Sequence, residues 1–265
     1  MPLDRLTPLL KQHVADLEAA GTAKGAEDVV VEVIPATGDR GPRFRLAGEG
    51  DREFLRMNSN SYLGLGLHPR VREAEEEGTR RYGAGPGAVR FISGTYDVHL
   101  ALEERLAAFH GREAAMIFSS AYATVVSTIV PLVTEETVLV SDELNHNCII
   151  NAMKLSRPAG KAVYAHNDVA DLERKLEEWA GRARRAVVVT DGIFSMRGDH
   201  APLAEIAEVC RRFDERFEED VVLLVDDSHG VGAFGETGRG VEEHVGAEGV
   251  DILVGTLGKA FGVNG

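Results

Sequence analysis

Residues 221–230 read "VVLLVDDSHG", and this stretch decides the fold. Five apolar residues run without polar alternation into two aspartates. A half-exposed strand would alternate, so an unbroken Val/Leu run marks a strand buried on both faces. The pattern recurs at "TVLVSD" (137–142), "RAVVVTDG" (185–192) and "VDILVGT" (250–256), with "KAVYAH" (161–166) as a weaker version. Segments of helical period lie between: "NCIINAMKL" (147–155), "VADLERKLEEWAG" (169–181) and "PLAEIAEVCRRFDERF" (202–217). Buried strands alternating with helices predict an α/β fold, with a mostly parallel central sheet and helices on both faces.

Upstream, "AAMIFSS" (114–120) reads as one more strand. "VHLALEERLAAFHG" (98–111) and "AYATVVSTIVPLV" (121–133) read as helices, as does "PRVREAEEEGTRRYG" (69–83), opened by Pro69 at its first position. Residues 3–20 form an amphipathic helix stopped by Gly21. "DVVVEVIP" (28–35) and "PRFRLAGEGDREFLRM" (42–57) read as short strands around glycine-rich turns. The expected organisation is an N-terminal helix and arm over 1–56, without a core of its own, and one large domain over 57–265.

The chain has 265 residues, 44% hydrophobic and 27% charged, an ordinary globular balance. Its net charge of −14 disfavours nucleic acid, whose backbone demands clustered Lys and Arg. Cys148 and Cys210 form neither a CxxC nor a zinc spacing, so reduced thiols in a cytoplasmic protein are expected. No apolar run reaches membrane-spanning length, and the start lacks the basic and apolar regions of a signal peptide.

Ligands of open α/β sheets sit beyond the carboxyl ends of the strands. That rule selects Ser119–Tyr122, Asp142–His146, Asp191–Ser195, Asp226–His229 and Thr256–Lys259. Each has an ordinary structural reading taken alone: a turn-capping carboxylate for Asp226, a satisfied histidine for His229, a helix cap in "SSAY" and a surface lysine for Lys259. Together they suggest one cleft. A buried ammonium is costly, whereas a lysine held as a Schiff base accounts for its charge. Gly255, Gly258, Ala260 and Gly262 around Lys259 imply close approach by something bulky, such as a flat cofactor. The first turn of the 121–133 helix offers free N–H groups to a phosphate. A competing motif, "GVGAFG" (230–235), matches the dinucleotide fingerprint with Asp251 some twenty residues on. Its context fails, since "DDSH" separates it from the strand and no apolar helix is evident behind it.

With Asp226, His229 and Lys259 placed, the chain resembles the α-oxoamine synthase family of pyridoxal-phosphate enzymes. The likeness is carried by "NSYLGLGLHP" (60–69), "VRFISGTYDVHLALEERLAAFHG" (89–111), "SDELNH" (141–146), "AHNDVADLE" (165–173), "VVTDGIFSMRGD" (188–199), "VDDSHGVGAFGETGRG" (225–240) and "GTLGKAFG" (255–262). It covers roughly residues 57–265. "VRFISGT" and "GTLGKA" look closest to the glycine C-acetyltransferase members.

The resemblance implies fold type I and pyridoxal 5'-phosphate as cofactor. It implies that Lys259 carries the Schiff base and moves protons at the substrate α-carbon. Asp226 pairs with the ring nitrogen, His146 stacks on the ring, and His229 and Ser195 bind its phenolic oxygen. Ala121 and Tyr122 supply amides to the phosphate, with Thr256 nearby, and Asn60 lies near the substrate carboxylate. The implied reaction joins a glycine-like amino acid to the acyl group of an acyl-CoA, or runs in reverse; a fold-type-I aminotransferase or lyase could share the Asp226 and Lys259 pattern. A homodimer with interfacial sites is implied as well. The family pattern differs at Ala121–Tyr122, at "ATVV", at Asn147–Cys148 and at Arg197, which puts substrate identity in question rather than cofactor use. Family members continue past the lysine into a small C-terminal domain that supplies an arginine. The expectation is therefore a truncated chain that turns over poorly alone.

Overall fold

The computed structural model describes residues 3–265. Two compact units emerge, Met1–Asn58 and Ser59–Gly265. The first holds helix α1 (Leu6–Ala19) and an antiparallel pair, β1 (Val30–Ile34) with β2 (Arg43–Leu46). No residue of α1 is buried, and Phe44 is the buried apolar residue of the unit's pair.

The second unit carries α2 (Pro69–Tyr82), α3 (Asp97–His110), α4 (Ala121–Leu132), β3 (Thr137–Asp142), α5 (Asn147–Leu155), β4 (Gly160–Tyr164), α6 (Val169–Trp179), β5 (Arg185–Asp191), α7 (Leu203–Phe213), β6 (Val221–Asp226), α8 (Val241–Val245) and β7 (Ile252–Val254). Five strands form one sheet in the order β4-β3-β5-β6-β7, every pair parallel. Side chains alternate between its faces, and both faces are covered. Val138, Val140, Ala186, Val188, Leu223 and Val225 pack with Leu172 and Leu176 of α6 and Ile206 and Phe213 of α7. Leu139, Val187, Val189 and Leu224 point the other way, onto Val125 and Ile129 of α4 and Ile149 and Met153 of α5. Each such aliphatic side chain contributes roughly 1.5–3 kcal/mol when fully buried. Burial on both sides is why these strands show no polar alternation.

Two local expectations change, and a third segment takes a form for which none was stated. "AAMIFSS" is not a strand: residues 113–119 join no ladder, and Ala114–Phe118 instead line an apolar cavity with Leu102, Leu106 and Leu253. "VRFISGT" contains a π-helical turn, Arg90–Gly94, whose Arg90 pairs with Glu103 of α3. A short helix, α8, follows the "GVGAFG" glycines, with Val241 fully buried. Those glycines form tight turns rather than opening α8, so the dinucleotide motif has no phosphate-binding helix attached.

Candidate active site

The parallel strands end on one edge of the sheet, and β5 and β6 end in register, Asp191 beside Asp226. A pocket at that edge is lined by Ala121, Tyr122, His146, Cys148, Asp191, Ile193, Ser195, Asp226, Ser228, His229 and Lys259. Seven of the nine residues singled out from sequence thus meet in one place. Two do not. Thr256 lines the neighbouring apolar cavity, and its hydroxyl donates to the Gly265 carbonyl at 3.0 Å. Asn60 is exposed; two residues on, Tyr62 makes the contact with the site instead.

The sequence singles out the first aspartate of "VDDSH", and the surroundings of the two show how they differ. Asp226 lines the pocket, its Oδ1 accepting from the Ser228 amide at 3.1 Å and the Ser228 hydroxyl at 2.6 Å. Asp227 is fully buried away from it and accepts from the Val241 amide at 2.7 Å. Its carboxylate fills the space that side chains at Gly192, Gly230 and Gly240 would occupy. Burial pushes it up to about 7. Asp227 is therefore a structural clasp for the 228–240 loop.

Lys259 is half-buried, and that burial lowers its pKa, with Asp226 and Asp191 opposing the shift. Its turn packs tightly against the protein's own chain. A side chain at Gly262 would come within 2.2 Å of the Gly66 amide nitrogen, and one at Gly66 within 2.9 Å of the Gly262 carbonyl. Gly262 also has φ +72°, the left-handed region that favours glycine. Gly255 packs on Val231, and Gly232 leaves room for Ala260. Gly262, Gly255 and Gly232 make room for the protein's own backbone and core.

His229 is half-buried, and its Nδ1 is hydrogen-bonded to Tyr62 Oη at 2.6 Å. With Tyr62 donating, the ring proton sits on Nε2. Burial, then the nearby Lys259, push His229 down to about 4, so it is neutral at physiological pH. His146 caps α5, its Nδ1 accepting from the Cys148 amide at 3.3 Å. The Cys148 thiol lies 2.9 Å from the same nitrogen and 3.7 Å from Asp226 Oδ2. Burial and the adjacent carboxylates push that thiol up to about 12, which keeps it a neutral donor. At α4, Ser120 accepts from the Ala123 amide at 3.1 Å, as an N-cap should, while Ala121 and Tyr122 face the pocket.

The strand-end rule took in Asp191 and Ser228 without giving either a role, Cys148 entered only as a departure from the family pattern, and Tyr62 was missed. Asp191 had a signal: it ends an apolar run just as Asp226 does. The others lacked one, because their importance lies in which distant side chain they meet.

These residues fit pyridoxal 5'-phosphate. A half-buried lysine can take its aldehyde, a carboxylate can face its ring nitrogen, and the start of α4 offers amides to its phosphate.

Comparison with known proteins agrees. The family profile described as Aminotransferase class I and II matches residues 52–265. The 8-amino-7-oxononanoate synthase of Geobacter sulfurreducens is 47% identical over 219 residues, 82% of this chain and 54% of that protein. That of Thermosipho melanesiensis is 44% identical over 215 residues, 81% of this chain and 53% of that protein. The solved serine palmitoyltransferase of Sphingomonas wittichii superposes with a TM-score of 0.84 at 31% identity, covering 99% of this chain and 62% of that one. The chain spans about half the length of the curated relatives it matches. None of these three is a glycine C-acetyltransferase, so the finer likeness of "VRFISGT" and "GTLGKA" does not identify the amino acid or acyl group. With a family profile across most of its length and relatives above 40% identity, the chain belongs to the aminotransferase class I and II family, within its pyridoxal-phosphate-dependent α-oxoamine synthase branch.

Proposed function

We propose that the protein is a C-acyltransferase that joins a small, glycine-like amino acid to the acyl group of an acyl-CoA, releasing coenzyme A. The supporting observation is the single pocket that gathers Lys259, Asp226, His229, His146, Ser195 and the start of α4. Pyridoxal phosphate, when bound, supplies the electron sink that lets a proton leave the amino acid's α-carbon. Lys259, with its ammonium disfavoured by burial, removes that proton on Nζ and later returns one. The α-carbon then forms a bond to the thioester carbonyl carbon, the carbon–sulfur bond breaks, and coenzyme A departs as the thiol. Asp226, oriented by Ser228, holds the ring-nitrogen proton in place. Neutral His229, fixed as the Nε2–H form by Tyr62, donates to the phenolic oxygen alongside Ser195. His146, which lines the same pocket, would cover one face of the ring. We also assign the protein to the cytoplasm as a homodimer; among the described residues, no helix is long and apolar enough to cross a membrane.

Purified protein mixed with pyridoxal phosphate should develop a visible absorption band that Lys259→Ala abolishes. Persistence of the band in the variant would refute the role of Lys259. A panel of small amino acids against acyl-CoAs of increasing chain length, read as free thiol, tests the reaction. Amino-group transfer to a keto acid without thiol release would sink it.

A further inference from the structure

Asp191 has no part in the chemistry described above. It lines the pocket and is only 5% exposed. Its backbone N–H donates to Asn145 Oδ1 at 2.8 Å, and its Oδ2 accepts from the His146 amide at 3.0 Å. Its other oxygen, Oδ1, is buried and has no hydrogen-bond partner in the protein. A buried carboxyl oxygen without a partner is costly, and such exceptions call for a reason. We propose that Asp191 is a further cofactor-holding residue, a neutral carboxyl whose Oδ1 donates a hydrogen bond to an acceptor on the edge of bound pyridoxal phosphate. The inference rests on the cofactor reading above.

The charge arrangement explains why Asp191 carries the proton. Asp191 and Asp226 stand side by side at the ends of β5 and β6, and Lys259 is the one lysine or arginine among the lining residues. Two carboxylates that share a desolvated site cannot both ionise freely. Asp226 receives two donors from Ser228 on one oxygen, whereas Asp191 receives one amide. The proton therefore settles on Asp191. With Asp191 Oδ2 already accepting, the acid proton sits on Oδ1. Burial, then Asp226, push Asp191 up to about 8, in agreement.

The test is titration of the apoprotein with pyridoxal phosphate, followed by the visible band, for wild type, Asp191→Asn, Asp191→Leu and Asp191→Ala. Asparagine keeps a donor without charge, so affinity within about threefold of wild type and an unchanged wavelength are expected. Leucine and alanine should shift the wavelength and weaken binding by about tenfold or more. Thermal melting of each apoprotein separates lost binding from lost folding, and alanine serves if leucine does not fold. Wild-type affinity and wavelength in the folded apolar variants would overturn the proposal. So would an asparagine variant as weak as the apolar ones. Absence of any Lys259-dependent band in wild type would overturn the cofactor reading instead.

Discussion

Tyr62 and His229 show how much one hydrogen bond decides. The imidazole is neutral because burial and Lys259 disfavour its charge, but neutrality alone leaves two tautomers open. Tyr62 Oη lies 2.6 Å from Nδ1, and when its hydroxyl donates there the ring presents N–H from Nε2. Tyr62→Phe should leave the fold intact and lose about 1 kcal/mol of cofactor binding, read as the pyridoxal-phosphate dissociation constant. It should also move the pH midpoint of the visible band, because the donor to the phenolic oxygen is no longer fixed. Asp226, His229 and Lys259 were legible because each follows an apolar run. Tyr62 was not, since it sits in a loop whose partner is far away in sequence. Cys148 stood out only as a departure from the family pattern; the fold brings it against His146 and Asp226.

Among the elements, the five parallel strands and their helices were readable because burial on both faces leaves an unambiguous apolar run. "AAMIFSS" reads the same way and fails, since a strand needs a ladder partner as well as composition. The turn after β7 shows a related ambiguity. Small residues around a lysine fit a bulky ligand or a close-passing chain equally well, and here Gly66 is the neighbour of Gly262. Gly262→Ala should therefore cost roughly 1–3 kcal/mol from the left-handed backbone alone, with the clash against Gly66 added. Thermal or denaturant unfolding measures the loss. Gly78→Ala on α2, where nothing lies within 4 Å of the added carbon, should gain stability instead.

For the molecule as a whole, the buried titratable groups set the response to pH. Asp191 holds its proton in the folded state up to about 8, well above the ordinary carboxylate range. The folded protein then binds more protons than the unfolded chain, so stability falls as pH rises through that window. For His166, burial lowers the pKa, but hydrogen bonds to Asp142 and Asp199 outweigh it and the net shift is upward. Its contribution is present below about 6.5 and lost as pH rises through the folded value. Both groups act in the same direction as pH rises above 6.5, whereas His229, held down to about 4, favours folding as pH rises from 4 to 6.5. Thermal melting against pH should show a decline above pH 6.5 of order 1–2 kcal/mol, and Asp191→Asn should flatten it. The contact of Gly66 with Gly262 adds a consequence for how such a protein can vary. Surface loops ordinarily accept insertions, because extra chain bulges into solvent. The segment around residues 64–67 cannot, since its backbone is the surface on which the lysine turn rests. An added residue there would displace Lys259 without touching any ionisable group, so length, more than composition, is the constrained property of that loop.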